Sequence, residues 1–225
     1  MKWVFAAAAA LAAVPTWGAS DWKPVRNDPD LAVYERDVPG SDIVAFKFDG
    51  ALDAPLDRVA ALILDYDRAP DWVDHLEEER VLRQVSPGEF IEYTHIGTPF
   101  VMKDRDFVIR VRVRLDRPER RLVITNQSTE DPAAPDHGYV RGNLIGSTFT
   151  LAAIDGRHTQ VTGEIQADPM GSVPKWIVNL FQRQWPRKTF DHLREQLSKS
   201  DVGVPNVFSK ILSDVRELTR KAGSG

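Results

Sequence analysis

The chain has 225 residues, of which 42% are hydrophobic and 28% charged, and its formal net charge at pH 7 is −4. These values are typical of a globular protein with one domain, or one domain and an appendage, and the acidic balance gives no general attraction for nucleic acid. The sequence contains no cysteine, which excludes disulfides, thiolate metal sites and a lipid-modified N-terminal cysteine.

Residues 1–20 predict a secretory signal peptide. Lys2 begins the segment, an alanine-rich apolar stretch runs through Val14, and small residues close it at Gly18-Ala19-Ser20. The stretch is too short for a membrane-spanning helix, which needs about 20 apolar residues. An alanine-rich helix packed on the domain is the alternative, although the segment has no polar and apolar faces. We expect a mature protein that begins near Asp21 and is periplasmic or secreted.

The remainder predicts one domain, residues 21–198, followed by a C-terminal extension, residues 199–225. We find no internal repeat and no long Gly/Ser linker within it. Residues 30–36 and 43–48 flank the turn signal Pro39-Gly40 and predict a β-hairpin.

A single helix is predicted after this hairpin. Asp53 is its expected N-cap, Pro55 lies in its first turn, and it ends near Ala69-Pro70. Its apolar residues follow helical spacing: Val59, Leu62, Ile63 and Tyr66.

Further strands follow, which brings the expected total to roughly eight. The predicted spans are 79–86, 89–96, 105–116, 120–128, 139–154 and 158–168. Because turn signals separate consecutive strands, we expect an antiparallel sheet. The strand from Arg105 alternates most clearly. Its expected dry face comprises Phe107, Ile109, Val111, Val113 and Leu115, and its expected wet face comprises Val108, Arg110, Arg112 and Arg114.

A long helix over 171–198 is predicted to close the domain, with a kink at Pro186. Its apolar residues are Trp176, Ile177, Leu180, Phe181, Phe190, Leu193 and Leu197. A sheet followed by one such helix is an arrangement that wraps the sheet around the helix and leaves space between them. Residues 205–221 form a second amphipathic segment, which packs on the domain, meets a partner or lies on a membrane surface.

Sequence motifs of common enzyme classes are absent. The five histidines lack the spacing of a metal-ligand pair, and there is no nucleophile elbow, phosphate loop or dinucleotide fingerprint. We therefore expect no metal and no cofactor. Residues 71–75 suggest either an acid/base cluster or, as we favour, a solvated corner with Trp72 turned inward. Residues 103–106 predict an ion-paired corner at the start of a strand.

The loop Gly97-Thr98-Pro99-Phe100-Val101-Met102 places three apolar residues beside a glycine and a proline. Such a loop tip is typical of a contact surface or lid, and the alternative is a loop folded onto the core.

Several segments, in this order, resemble the START family, the steroidogenic-acute-regulatory-related lipid transfer domains of the helix-grip superfamily. The resemblance spans residues 22–197. The segments are Trp72 after the first helix, Arg105-Asp106-Phe107-Val108 at the start of a strand, Gly163-Glu164 in the last strand, and Asp168-Pro169-Met170-Gly171-Ser172-Val173-Pro174-Lys175-Trp176 with Asn179.

The resemblance implies an α+β helix-grip fold, in which a curved antiparallel sheet grips the C-terminal helix around a lipid-sized tunnel. It also implies a gate between the loop at Phe100 to Met102 and the last helix. The implied lipid-binding residues are Thr94, Phe100, Val101, Met102, Phe107, Ile109, Val111, Phe149, Met170, Trp176, Leu180 and Phe181. Candidate head-group contacts are Thr94, Glu92, Asn126 and Arg141. Similar sterol-binding members often keep a basic side chain six residues after the strand's first arginine, where this chain has Val111.

The leading hypothesis is an exported, non-enzymatic protein that binds or transfers a lipid or other hydrophobic small molecule and touches membranes transiently, without binding nucleic acid. One alternative is a cyclase or dehydratase of the same superfamily acting on an apolar substrate, with Asp71, Asp74, His75 or His95 inside the tunnel. Another is an interaction module with a collapsed core.

Overall fold

The computed structural model describes residues 21–98, 102–199 and 208–222. The predicted signal peptide and the loop residues 99–101 lie outside these ranges. The strands are β1 (Lys23–Asn27), β2 (Leu31–Val38), β3 (Ser41–Leu52), β4 (Leu76–Ser86), β5 (Glu89–Ile96), β6 (Arg105–Asp116), β7 (Arg121–Ser128), β8 (Val140–Arg141), β9 (Asn143–Ala153) and β10 (Thr159–Asp168). The helices are α1 (Leu56–Ile63), a short 3₁₀ helix (Tyr66–Asp71), α2 (Lys175–Ser198) and α3 (Ser209–Ala222).

The strands form a single sheet in the order β1-β2-β3-β10-β9-β7-β6-β5-β4, with β8 beside the start of β6. Every pairing is antiparallel except the short one between β8 and β6. Helix α2 lies on the inner face of this sheet, where Phe190, Leu193 and Leu197 join the main core. The predicted α+β helix-grip architecture is therefore confirmed.

The first helix is shorter than predicted. Helix α1 ends at Ile63, its N-cap is Pro55 rather than Asp53, and no side chain caps it. The chain continues as the 3₁₀ helix, in which Tyr66 and Ala69 are buried. Pro70 disfavours α-helical dihedrals at the preceding residue, and a 3₁₀ turn places residues three apart on one face. The tighter helix thus keeps both side chains in the core.

The outer face of β6 is more buried than predicted. Val108 is fully buried with Ile91 and Tyr93 in a second apolar cluster, against which Leu82 and Ala134 pack. Ala134 belongs to the long connection between β7 and β8, which lies over this part of the sheet. The prediction of a wet face is wrong at Val108, whereas the side chains of Arg112 and Arg114 are exposed.

Helix α3 packs on the domain, which is one of the three arrangements that its amphipathic pattern allowed. Its buried residues, together with Phe208 just before it, belong to the main core: Phe208, Leu212, Val215 and Leu218. The helices in the described ranges are all too short or too polar to cross a membrane.

Candidate functional site

The space between α2 and the inner face of the sheet contains two adjoining cavities. The inner cavity has a volume of about 280 Å³, and the outer cavity has a volume of about 260 Å³. They share a wall of five residues: Ile96, Phe107, Ile165, Ala167 and Trp185. Ligand pockets commonly span about 300–1,000 Å³, so the two cavities together, rather than either alone, have the size of a ligand site.

The inner cavity is lined mainly by apolar side chains from the sheet and from the C-terminal half of α2. From the sheet these include Phe48, Ile109, Val111, Ile124, Leu144, Phe149 and Val161. From α2 they include Trp185, Pro186, Phe190 and Leu193. Trp72 and Val73, which follow the 3₁₀ helix, complete this wall.

A polar group of side chains interrupts the apolar wall of the inner cavity. Its members are Tyr66, Glu79, Glu92, Thr94, Asn126, Ser147 and Thr189. The amide nitrogen of Asn126 donates a 3.0 Å hydrogen bond to the hydroxyl of Ser147. Four polar atoms on this wall are buried without a hydrogen-bond partner: Trp72 Nε1, Glu92 Oε2, Thr94 Oγ1 and Asn126 Oδ1. Buried polar atoms without partners are uncommon in folded proteins, so they mark this wall as a place where a ligand's polar end would be stabilised.

The two carboxyl groups of the inner cavity have altered proton affinities. Burial raises the pKa of Glu92 to about 7. Burial and the nearby Glu92 carboxyl also raise the pKa of Glu79 well above its usual value. Desolvation disfavours a carboxylate, and a second carboxylate nearby disfavours it further.

The outer cavity lies between the N-terminal half of α2 and the end of the sheet. Its α2 side includes Ile177, Val178, Phe181 and Gln182, preceded by Val173. Asp74 and His75 also line it. The His75 imidazole meets the Phe181 ring edge-on at 5.7 Å between centroids. The Asp74 carboxylate lies 3.4 Å from Lys188 Nζ and 3.6 Å from His75 Nε2.

Two glycines allow aromatic rings to lie flat against the sheet in the cavity walls. A Cβ atom on Gly163 would lie 2.3 Å from the ring of Phe48, its direct partner on β3. A Cβ atom on Gly142 would lie equally close to Phe107. Each ring occupies the volume that a side chain on the glycine would fill.

The loop between β5 and β6 is fixed at its base. Asp104 accepts a 2.9 Å hydrogen bond from the backbone N–H of Thr98, and its other oxygen lies 2.9 Å from His95 Nε2. The hydrogen bond from Thr98 is the main cause of a lowered pKa of Asp104, and the contact with His95 is the next. These contacts hold the two ends of the loop together, and Met102 lies in the wall of the outer cavity.

Polar anchors also fix the start of β6 and the position of α2. The buried Arg105 guanidinium donates to the carbonyls of Lys103, Pro169 and Met170. Asp106 pairs with Arg141 at 2.8 and 3.0 Å. These contacts agree with the predicted structural role of residues 103–106, although Arg105 binds carbonyls rather than a carboxylate. On α2, the Asn179 side chain accepts a hydrogen bond from the backbone N–H of Val44 on β3 at 3.3 Å.

Comparison with known proteins identifies the family. A family model of the START domain matches residues 4–200. The chain belongs to the START family. Helix α3 lies beyond the matched residues.

Two relatives and one solved structure illustrate the similarity. An uncharacterised protein from Pseudomonas aeruginosa is 26% identical over 182 residues, which cover 80% of this chain and 89% of that protein. The phosphatidylcholine transfer protein of Bos taurus is 26% identical over 169 residues, which cover 73% of this chain and 78% of that protein. A solved STAR-related lipid transfer protein from Xanthomonas axonopodis shares the fold, with a TM-score of 0.70, 23% identity, and coverage of 80% of this chain and 99% of that one.

Most predicted site residues of this START domain do line the cavities. Thr94, Ile109, Val111 and Phe149 line the inner cavity, Met102 and Phe181 line the outer one, and Phe107 lines both. Phe100 and Val101 lie outside the described residues.

Three predicted residues do not line either cavity, and their placement is a correction. Trp176 is 68% exposed, Leu180 is 45% exposed and Met170 is 46% exposed. In the N-terminal half of α2, the residues that face inward are Ile177 and Val178, together with the correctly predicted Phe181. Because Trp176 to Val178 are all apolar, helical spacing alone does not select which of them faces the sheet.

Of the four candidate head-group contacts, three line a cavity and one does not. Glu92, Thr94 and Asn126 line the inner cavity, whereas Arg141 is engaged by Asp106 on the outer face. Glu79 was missed, and so was Ser147. Alternation along β4 does not reveal Glu79, because this strand is acidic and irregular in its pairing with β5.

Only two of the four residues considered for an acid/base site line a cavity. Asp74 and His75 line the outer cavity, whereas Asp71 and His95 line neither. Trp72 is turned inward, as the corner interpretation predicted. Within the described ranges, no three His, Cys, Asp or Glu side chains are grouped so as to hold a metal ion.

Proposed function

We propose that this protein is a lipid carrier, which holds a hydrophobic ligand in the two cavities between α2 and the sheet and transfers it between membranes. The observation that carries the proposal is the interior space between α2 and the sheet, which is lined mainly by apolar side chains. The rest of the interior is a packed apolar core. Moving a lipid chain from water into such a space recovers about 25 cal/mol per Å² of apolar surface. No covalent step is needed for this function.

The similarity to the phosphatidylcholine transfer protein of Bos taurus supports the same proposal. That protein's name describes transfer of a phospholipid. We infer lipid binding and transfer for this chain from that similarity. The chemistry of the inner cavity determines which lipid it binds.

The entrance in this proposal lies between Thr98 and Met102, at the two ends of the loop between β5 and β6, and the N-terminal half of α2. Met102 lines the outer cavity on one side of this entrance, and Ile177 and Phe181 line it on the other. The exposed Trp176, Leu180 and Met170 lie on the segments that border it. Exposed apolar groups next to an entrance favour contact with a membrane surface, where a tryptophan ring is well accommodated.

The compartment in this proposal is the periplasm or the cell exterior. The support comes from the amino-acid sequence of residues 1–20, with its charged start, apolar centre and small-residue end. N-terminal sequencing of the protein from its source cells tests this directly. A first residue near Asp21 supports export, and an intact Met1 in the cytoplasmic fraction contradicts it.

Native mass spectrometry with lipid extraction tests the carrier function. We expect one molecule of a hydrophobic compound per chain when the protein is purified from its own compartment, and exchange of that compound with mixed lipid vesicles. A chain that remains empty after incubation with such vesicles contradicts the proposal.

A second candidate function is an enzyme of the same superfamily that acts on an apolar substrate. The specific observation in its favour is that Asp74 and His75, an acid and a base type, line the outer cavity. Analysis of a loaded ligand by NMR before and after prolonged incubation separates the two functions. A carrier returns the ligand unchanged, whereas an enzyme converts it.

A further inference from the structure

The inner cavity contains two acidic side chains and no basic one. Glu79 and Glu92 both line it, and its other described lining residues include no lysine, arginine or histidine. The basic side chains Arg105 and His75 line the outer cavity. Arg105 is already bound by backbone carbonyls. An anionic head group in the inner cavity would therefore meet carboxyl groups without a compensating cation.

The acceptors of this cavity are only partly satisfied. Glu92 is 4% exposed and Thr94 is 8% exposed, yet Glu92 Oε2 and Thr94 Oγ1 have no partner. Asn126 Oδ1, on the wall formed by β7, also has none. Leaving a buried polar atom unsatisfied destabilises the protein. A ligand group that donates several hydrogen bonds would remove this cost.

An alkylammonium group matches this environment better than a hydroxyl group does. It carries three N–H donors and a positive charge, whereas an alcohol carries one donor and no charge. Tyr66 and Trp72 line the same cavity, and aromatic rings stabilise a nearby cation.

We propose that the inner cavity binds the head group of a cationic amphiphile, a lipid or long-chain compound with a primary or secondary ammonium group, and that Glu92 and Glu79 are its counter-ions. The hydrocarbon chain extends through the outer cavity toward Thr98 and Met102. This inference rests on the proposed function, because it specifies the ligand class of the same cavity.

Binding of such a head group is coupled to proton release. The titratable groups that face the inner cavity are Glu79, Glu92 and Tyr66. Without ligand, burial raises the pKa of Glu92 to about 7, and burial together with the Glu92 carboxyl raises the pKa of Glu79 well above its usual value. A bound cation favours the ionised carboxylates, so binding of the amine near pH 6 releases protons into the buffer.

The test compares three ligands that share one hydrocarbon chain: hexadecylamine, hexadecan-1-ol and hexadecanoic acid. Binding of each to the full protein is measured by isothermal titration calorimetry in two buffers of different ionisation enthalpy. We expect the amine to bind at least about tenfold more tightly than the other two, because hydrogen bonds to charged groups are stronger than those between neutral groups. We also expect proton release with the amine alone.

Variants of the carboxyl groups provide the matched comparison. Glu92→Gln keeps the shape of the side chain, and we expect it to weaken amine binding about tenfold more than it changes alcohol binding. The control is Glu164→Gln, an exposed carboxyl on β10 that lines neither cavity. We expect this control to leave all three affinities unchanged. Thermal unfolding of each variant verifies that it is folded.

The outcomes separate the two proposals. Equal binding of all three ligands, or tightest binding of the acid or the alcohol, overturns the inference and leaves the carrier function intact. Unchanged amine affinity in Glu92→Gln also overturns it. Binding of none of the three, with no uptake from lipid vesicles, counts against the carrier function and removes the basis of the inference.

Discussion

The ring of Phe208 meets the ring of Phe90 edge-on, with 4.8 Å between their centroids. Phe208 also contacts Tyr66, whose ring centroid lies 5.1 Å away. Since Tyr66 lines the inner cavity, this contact joins the segment before α3 to a residue of the cavity wall. Helix α3 is thus part of the folded core, although it lies beyond the family match.

Replacement of Phe208 by alanine is expected to destabilise the whole domain. The residue is fully buried, and removing a buried phenylalanine side chain costs about 3–5 kcal/mol. Urea unfolding followed by circular dichroism measures the change. Lys210→Ala, on the exposed side of the same helix, is the control and should shift stability by less than about 0.5 kcal/mol. Equal stability of the two variants would mean that α3 is not held by this contact.

The stability of the protein should depend on pH through Glu92. Its pKa is raised from 4.5 to about 7 in the folded protein. A raised carboxyl pKa gives a contribution that is fully present below pH 4.5 and is lost as the pH rises through about 7. Glu92→Gln has no carboxyl group to ionise here. The free energy of unfolding of the variant relative to that of wild type should therefore be roughly 1–3 kcal/mol greater at pH 8 than at pH 4.

Chemical unfolding at both pH values checks this expectation. Glu164→Gln, at an exposed position, should give the same stability difference from wild type at both. The assignment of the buried carboxyl fails if Glu92→Gln does so as well.

Met102→Asp should slow lipid exchange with vesicles by about tenfold, because a carboxylate in the wall of the outer cavity must be desolvated as the chain passes. Thermal stability should change little, since Met102 is only partly buried. Transfer of a fluorescent lipid between vesicles measures the rate. Ile154→Asp, in the exposed turn between β9 and β10, serves as the control. An unaltered rate in Met102→Asp would contradict the proposed entrance.

A pair of tryptophan substitutions on α2 distinguishes its two faces. Ile177→Trp adds volume inside the outer cavity, so we expect ligand uptake to fall about tenfold or more. Leu180→Trp adds the same ring to an exposed position and should leave uptake unchanged. Titration with a fluorescent lipid compares them. Reduced uptake in Leu180→Trp and normal uptake in Ile177→Trp would show that the helix is turned the other way when ligand binds.

Gly163→Ala should distort the cavity wall. Its new methyl group would lie 2.3 Å from the ring of Phe48, so we expect a loss of about 1–3 kcal/mol in stability and weaker ligand uptake. Gly146→Ala, on neighbouring β9, introduces a methyl group with no atom within 4 Å and is the matched control. Similar stability of the two variants would argue against a rigid ring at Phe48.

The strands were predictable because their signal is local. Side chains alternate between the two faces of a strand and Pro-Gly or Asp-Gly pairs mark turns, so spans such as 89–96 and 105–116 were predicted with the boundaries that the structure has. The length of α1 was not predictable in this way. Its end at Ile63 depends on how Tyr66 and Ala69 are buried by distant segments, including Phe208.

The site was predictable in its apolar sheet residues and less so on the helix. Ile109 and Val111 were predicted because they alternate on a strand whose inner face is apolar. Trp176 and Leu180 were assigned to the wrong face, since neighbouring apolar residues on a helix leave its rotation undetermined until Asn179 hydrogen-bonds to β3.

The sequence by itself determined the order of the strands along the chain, the long C-terminal helix and, through its motifs, membership of the START family. Those properties depend on short-range periodicity and on residue order. Only the tertiary structure decided that Glu79 and Glu92 face one cavity without a basic side chain in its described lining, and that Phe208, just before α3, packs against Tyr66 in its wall. Both depend on which residues from distant parts of the chain become neighbours, and burial changes the chemistry of those residues only after the sheet and helices have packed.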